Sequence, residues 1–135
     1  MTEVCAAMGL TGLDSLEEFM AVNRRNDEVY RESLAGIPGL HLIDYSPTEK
    51  CNRQYMVVEV DEKVYGRTRD ETVRMLHAEN VLARKYFWPG CHRMEPYRTR
   101  YPDAGRNLSC TEEMAGQVIV LPTGTAVDEP AIGTI

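Results

Sequence analysis

Tyr55-Met56-Val57-Val58-Glu59-Val60 decides the fold. Its β-branched residues mark a strand. The apolar run is nearly continuous, which predicts a strand covered on both faces. Upstream, Leu40-His41-Leu42-Ile43-Asp44-Tyr45 reads as a shorter strand that Ser46-Pro47-Thr48 breaks. Downstream, Gly66 turns the chain, and Thr68 with Glu71 forms a capping box. That box opens a helix with Val73, Leu76 and His77 on one face, ending near Asn80. Val81 to Tyr86 is a third strand candidate, and Val118-Ile119-Val120-Leu121-Pro122 is a fourth. Between them lies a long irregular stretch from Phe87 to Leu108, then a capping box at Ser109 and Glu112 and a short helix through Gly116.

At the N-terminal end, Ser15 and Glu18 form a further capping box. Leu16, Phe19, Met20, Asn23, Asp27, Tyr30 and Leu34 follow at helical spacing, so one long helix is predicted from Ser15 to Ala35. Glu17, Arg24, Arg25, Glu28, Arg31 and Glu32 fall on a solvated face, and Gly36, Pro38 and Gly39 stop the helix. Met1 to Leu10 is small and apolar and reads as a short helix without a polar face, one that needs another surface to lie on. Residues 1–13 are therefore set apart as an apolar interface segment, and 14–135 as the domain proper. Asp128 can start a last helix, and the tail then stops without a cap signal, so the chain reads as cut. The order of elements predicts an α+β fold: a small, mainly antiparallel sheet with packed helices. Broken strand–helix alternation and the lack of a G-x-G-x-x-G run exclude a doubly wound dinucleotide domain.

The 135 residues carry 15 Lys plus Arg against 21 Asp plus Glu, a net charge of -6. That balance argues against a general nucleic-acid or anionic-membrane surface. No apolar run is long enough to span a bilayer, and the first residues lack a signal-peptide layout. Cys5, Cys51, Cys91 and Cys110 form no C-x-x-C pair, so reduced, mostly packed thiols in a cytoplasmic protein are expected, without a bound metal. A redox or metal role for Cys51, Cys91, His92 and Cys110 is the less favoured alternative.

Residues 83–98, Ala-Arg-Lys-Tyr-Phe-Trp-Pro-Gly-Cys-His-Arg-Met-Glu-Pro-Tyr-Arg, concentrate the chemistry. Guanidinium forks match phosphate oxygens, aromatic faces stack on rings, and an imidazole donates to anions or moves protons. Those are the parts of a nucleotide-sugar pocket. The competing reading is a rigid loop whose aromatics plug the sheet edge and whose arginines are solvated. His41 and His77 lie within regular elements and read as packing or surface residues.

Three stretches together resemble the small C-terminal domain of the DegT/StrS family of PLP-dependent sugar aminotransferases. Met1-Thr2-Glu3-Val4-Cys5-Ala6-Ala7-Met8-Gly9-Leu10 is similar to the family's M-S/T-E-x-x-A-A-x-G-L segment, and a helix with Asn23-Arg24-Arg25 follows it. Phe87-x-Pro89-x-x-His92-x-x-x-Pro96-Tyr97 resembles the F-x-P-x-H-x-x-P-x-Y run, with one extra residue on each side of His92. Val120-Leu121-Pro122 matches the strand ending in Leu-Pro.

The resemblance implies transfer of an amino group, usually from glutamate, to a keto-sugar nucleotide such as a dTDP-sugar. It places His92 against the sugar or its diphosphate, has Tyr97, Trp88 and Arg93 shape that wall, and makes Arg84 a further diphosphate candidate. None of these is a proton-transfer role, and no catalytic or cofactor-binding residue carries over. The family's Schiff-base lysine and phosphate cradle belong to a large domain that would precede Met1. Lys50, Lys63 and Lys85 stand in no matching context. The chain alone is therefore expected neither to bind PLP nor to transaminate, and to need that large domain, a second subunit or a homodimer partner. An independent sugar-nucleotide-binding or regulatory module is the alternative.

Overall fold

The computed structural model describes residues 1–46 and 48–135. Pro47, the centre of the expected strand break, lies outside them. Among the described residues four strands form one antiparallel sheet: β1 (Leu40–Leu42), β2 (Met56–Val60), β3 (Arg84–Lys85) and β4 (Val118–Leu121), in the order β1-β2-β4-β3. The helices are α1 (Glu3–Asp14), α2 (Leu16–Leu34), α3 (Glu62–Tyr65), α4 (Arg69–Ala78), α5 (Tyr97–Arg100), α6 (Ser109–Gln117) and α7 (Glu129–Thr134). The expected α+β class and mainly antiparallel sheet are both found.

Register sorts the strand residues into two faces. Met56 pairs with Leu121 and Val58 with Ile119, while Val57 pairs with Val120 and Glu59 with Val118. The first set faces the core, where Met56, Val58, Val60, Ile119 and Leu121 are buried with Tyr30, Val73, Ala83 and Ile132. These last four bring in α2, α4, the approach to β3, and α7. The second face is only partly covered, because β2 alternates buried and half-buried positions. The expectation of a strand buried on both faces fails at Val57, which borders a cavity. β4 is the strand buried throughout.

Local signals succeed where side chains are free to cap. Thr68 and Glu71 make the capping box, Gly66 closes α3 at φ 78°, and Asp128 caps α7 by accepting from Ala131 N at 3.0 Å. Two other predicted boxes are not made. Ser15 takes helical backbone angles, and its Oγ donates to Thr11 O at 3.3 Å, so α1 runs almost into α2. α1 thus extends past Gly9 and Gly12 instead of ending at Leu10. Leu108 precedes α6 without a side-chain cap, while Glu112 is engaged by His92 and Arg93.

The third strand shrinks to Arg84–Lys85. Asn80 sits at φ 61°, and Ala83 N donates to Val81 O, so the chain turns before it can pair. β1 stops at Leu42, although Ile43 N still donates to Val57 O at 2.9 Å. The stretch 87–108 is built from short turns: a 3-10 helix at Cys91–Arg93, α5, and a 3-10 helix at Ala104–Asn107.

On α2 the buried face is Met20, Asn26, Asp27 and Tyr30, with Leu16 and Phe19 exposed. Asn26 donates to Thr123 Oγ1 and Gly124 O at 3.2 Å each, and Tyr30 OH donates to Pro122 O at 2.8 Å. These bonds tie the helix to the turn after β4. Arg31, expected to be solvated, instead bonds Asp44 at 2.5 Å. The cysteines are free, but the expected packing is wrong: Cys5, Cys91 and Cys110 are exposed and Cys51 is half-buried. Cys5 lies on α1, which buries no residue, while Cys91 and Cys110 border the cavity.

Candidate functional site

The partly covered sheet face is where the chain leaves room. Val57 and Val118 form the floor, α6 supplies Cys110, Thr111, Met114 and Ala115, and residues 86–108 arch over as the opposite wall. This open cavity has a volume of about 1020 Å³, which is the size of a large small-molecule site. The arch turns out of β3 at Phe87, which adopts φ 45° and is 73% exposed. Tyr86 packs edge-on to Tyr55 and tilted against Phe87, with ring centroids 5.7 and 4.4 Å away. Tyr97 and Tyr101 complete the aromatic wall.

His92 and Tyr97, two of the five residues expected from sequence, line this cavity. His92 Nε2 bonds Glu112 Oε1 at 2.5 Å, and its side chain is 10% exposed. Arg93 grips the same carboxylate, with Nε at 2.7 Å from Oε1 and Nη2 on Oε2. Arg93 faces a smaller groove beside the cavity, shared with His92, Arg98 and Glu112. Its guanidinium, followed by the imidazole, holds the Glu112 carboxyl below its ordinary 4.5, so the group is ionised at neutral pH.

Trp88 and Arg84 lie elsewhere. The Trp88 ring is 4.8 Å from the Arg69 guanidinium and 5.4 Å from Lys85 Nζ, a cation–π stack outside the cavity lining. Arg84 pairs with Val120, which places it on the cavity side of the sheet, but it borders a separate groove with Gln54, Leu82 and Pro122. Sequence reading missed two supports. One is Glu112, whose apparent capping-box spacing concealed its long-range partners. The other is the buried Arg69, which donates to Ala115 O at 2.9 Å and Val118 O at 3.2 Å.

The lining is mostly apolar, with phenols, a threonine and the imidazole as its polar side chains. Such a surface stacks rings and places a few hydrogen bonds; it supplies no fixed cation. Among the described residues, no group of three or more His, Cys, Asp or Glu side chains could hold a metal ion.

A family model described as the DegT/DnrJ/EryC1/StrS aminotransferase family matches residues 1–135. The chain belongs to that family. It is 30% identical over 132 residues to the dTDP-4-amino-4,6-dideoxy-D-glucose transaminase of Escherichia coli, covering 98% of this chain and 35% of that protein. Among solved structures, DesI in the presence of its TDP-sugar product superposes with a TM-score of 0.90 at 46% identity, covering 99% of this chain and 33% of DesI. Helicobacter pylori PseC, an aminotransferase involved in the biosynthesis of pseudoaminic acid, shares the fold at a TM-score of 0.85 and 16% identity, over 99% of this chain and 35% of that one. The chain thus spans about a third of the length of these relatives.

Pyridoxal phosphate is the family's cofactor, and the residues present do not fit it. A Schiff-base lysine must be free and held in a desolvated pocket. Lys50 is exposed and bonded to Glu17 at 2.7 Å, Lys63 is exposed on α3, and Lys85 is bonded to Asp70 at 2.8 Å. None of the three borders the cavity, and neither does any arginine among the described residues.

Proposed function

We propose that this chain supplies the small-domain half of a nucleotide-sugar aminotransferase site and does not transaminate alone. One observation carries the reading: a family domain that superposes on DesI at 46% identity has an aromatic-walled cavity with His92 and Tyr97 on its lining. In this reading His92 and Tyr97 meet the sugar-bearing end of a nucleotide-linked hexose. Arg93 holds the wall through Glu112, Trp88 fixes the base of the arch, and Arg84 lies further along the same sheet face, toward a diphosphate. The Schiff-base lysine and phosphate cradle come from a large domain, in the same polypeptide or in a partner, with glutamate as the amino donor. Exposed Val4, Met8, Leu10 and Leu13, distributed around α1, provide apolar surface for that domain or a second copy.

Calorimetry with dTDP-glucose tests the reading. Saturable binding that weakens in Tyr97→Ala supports a retained sugar-nucleotide wall. A titration without heat, in the chain alone and after mixing with a family large domain, contradicts it. PLP mixed with the chain should give no stoichiometric visible absorbance change, and a stoichiometric lysine adduct would overturn the half-site assignment.

A further inference from the structure

The His92 ring is held on three sides. A Cβ built on Gly90 would lie 2.8 Å from its Cε1 and 3.1 Å from its Nδ1, and one on Gly105 would lie 3.8 Å from its Cδ2. The third side is Glu112, which takes Nε2. An ionised carboxylate only accepts, so Nε2 must carry a hydrogen. The same carboxylate already receives two N–H donors from Arg93. In the neutral ring that hydrogen makes His92 the Nε2–H tautomer, and among the described residues Nδ1 has no hydrogen-bond partner.

We propose that Glu112 is the positioning residue of the cavity wall: with Arg93 it holds His92 as the neutral Nε2–H tautomer, leaving Nδ1 as a hydrogen-bond acceptor. The proposal rests on the sugar-nucleotide reading and narrows it. A neutral Nδ1 lone pair accepts from a hydroxyl and repels a phosphate oxygen. His92 accordingly recognises a hexose hydroxyl, and the diphosphate is bound elsewhere. Glu112 reaches His92 from α6, a different element, so it also joins the arch to the helix opposite.

The test uses the full chain labelled with nitrogen-15 in its three histidines. At pH 8 the wild type should show a protonated Nε2 and an unprotonated, pyridine-like Nδ1 for His92. Glu112→Gln, whose amide oxygen still accepts, should keep that pattern, and Glu112→Ala should turn it into a mixture of tautomers. His77 is the internal control, because its Nε2 bonds Ala83 O at 2.7 Å and it should stay unchanged while the fold holds. If the alanine variant unfolds, Glu112→Leu keeps the bulk and the helix. A protonated Nδ1 in the wild type overturns the proposal, as does an unchanged spectrum in a folded variant lacking the carboxylate.

Ligand titration makes the second cut. His92→Ala should weaken dTDP-glucose by about 3- to 10-fold, one neutral hydrogen bond, and leave dTDP unchanged. Equal losses for both ligands overturn the hydroxyl assignment in favour of the diphosphate. If neither ligand binds the wild type, alone or mixed with a family large domain, the sugar-nucleotide reading and the hydroxyl assignment fail, while the tautomer still decides the part played by Glu112.

Discussion

Arg69→Met tests how the arch is anchored. Arg69 is 4% exposed and sits where α4, the end of α6 and the Trp88 ring meet. Its Nη1 donates to two backbone carbonyls, Ala115 O and Val118 O, and its Nε donates to Asp70 at 2.5 Å. Methionine keeps most of the apolar stem but leaves both carbonyls without their charged donor. Hydrogen bonds to a charged group contribute about 1.5–3 kcal/mol each, and removing one member of a buried pair costs about 3–5 kcal/mol. Asp70 is half exposed and keeps Lys85, so the ion-pair part counts for little. The two orphaned carbonyls dominate, and a loss of about 3–4 kcal/mol follows. For a domain of this size that lowers Tm by roughly 10–15 °C. Trp88 is the only tryptophan, so its emission reports the same site. Thermal melts followed by circular dichroism should shift by that amount, and Trp88 emission should change at temperatures where the variant is folded. A fall below about 3 °C with unchanged emission refutes the reasoning, because Arg69 would then be solvated and uncoupled from the arch.

Gly90→Ala should abolish the His92 arrangement, since at φ 92° the backbone is already outside the usual range for an L-residue and the new methyl meets the ring; a loss of about 1–3 kcal/mol by urea melts checks it. Stability should fall as pH drops. Lys85 first and Arg69 next hold Asp70 below its ordinary 3.8, while Arg93 and then His92 hold Glu112 below 4.5. Depressed carboxylates contribute stability present above those ordinary values and lost as pH falls through the folded ones, so the acid limb should be shallower in Asp70→Asn. Tyr30→Phe should cost about 1 kcal/mol in urea melts by orphaning Pro122 O. Burial pushes the Tyr30 phenol up from 10.0, so its share of stability is present below pH 10 and lost as pH rises through the folded value.

The fold was legible wherever neighbours in sequence decide the outcome. The β-branched runs at 56–60 and 118–121, the helix over 16–34 and the box at Thr68 and Glu71 depend on periodicity or on groups three residues apart, and the structure contains them. Spacing misled where a distant partner competes for the same side chain. Glu112 has capping-box spacing after Ser109, yet a carboxylate gains more from a guanidinium and an imidazole than from one backbone amide. Ser15 likewise turns back to Thr11 because α1 and α2 are nearly continuous. Asn26 illustrates the other kind of miss. It falls in neither the apolar stripe nor the charged face read from the sequence, and it is wholly buried because Thr123 and Gly124, far away in sequence, supply its partners. For the site, the aromatic and basic density of 83–98 was visible, but density does not tell direction. Arg84 and Lys85 are consecutive on a strand and so project to opposite faces, and only the pairing with Val120 and Ile119 shows which faces those are.

Charge bookkeeping around the cavity supports the division of labour proposed for it. A nucleotide sugar brings a diphosphate, which needs cations with spare capacity. Around the arch, Arg93 is taken by Glu112, Arg98 by Glu95 and Arg106 by Asp103. Redirecting any of them toward phosphate means first breaking its existing pair. Arg84 and Arg100 have no carboxylate partner among the described residues, yet neither borders the cavity. The cavity itself offers ring faces, phenols and one imidazole, which suit a hexose or a base and suit a dianion poorly. A complete site would show both chemistries on one lining. Finding one of them here, in a chain a third the length of its relatives, is what a wall shared between two domains requires. Apart from Arg84, further along the sheet face, the diphosphate-binding cations should accordingly map to the other domain, and charge-removing substitutions at Arg93, Arg98 and Arg106 should weaken dTDP binding by this chain far less than Tyr97→Ala weakens dTDP-glucose.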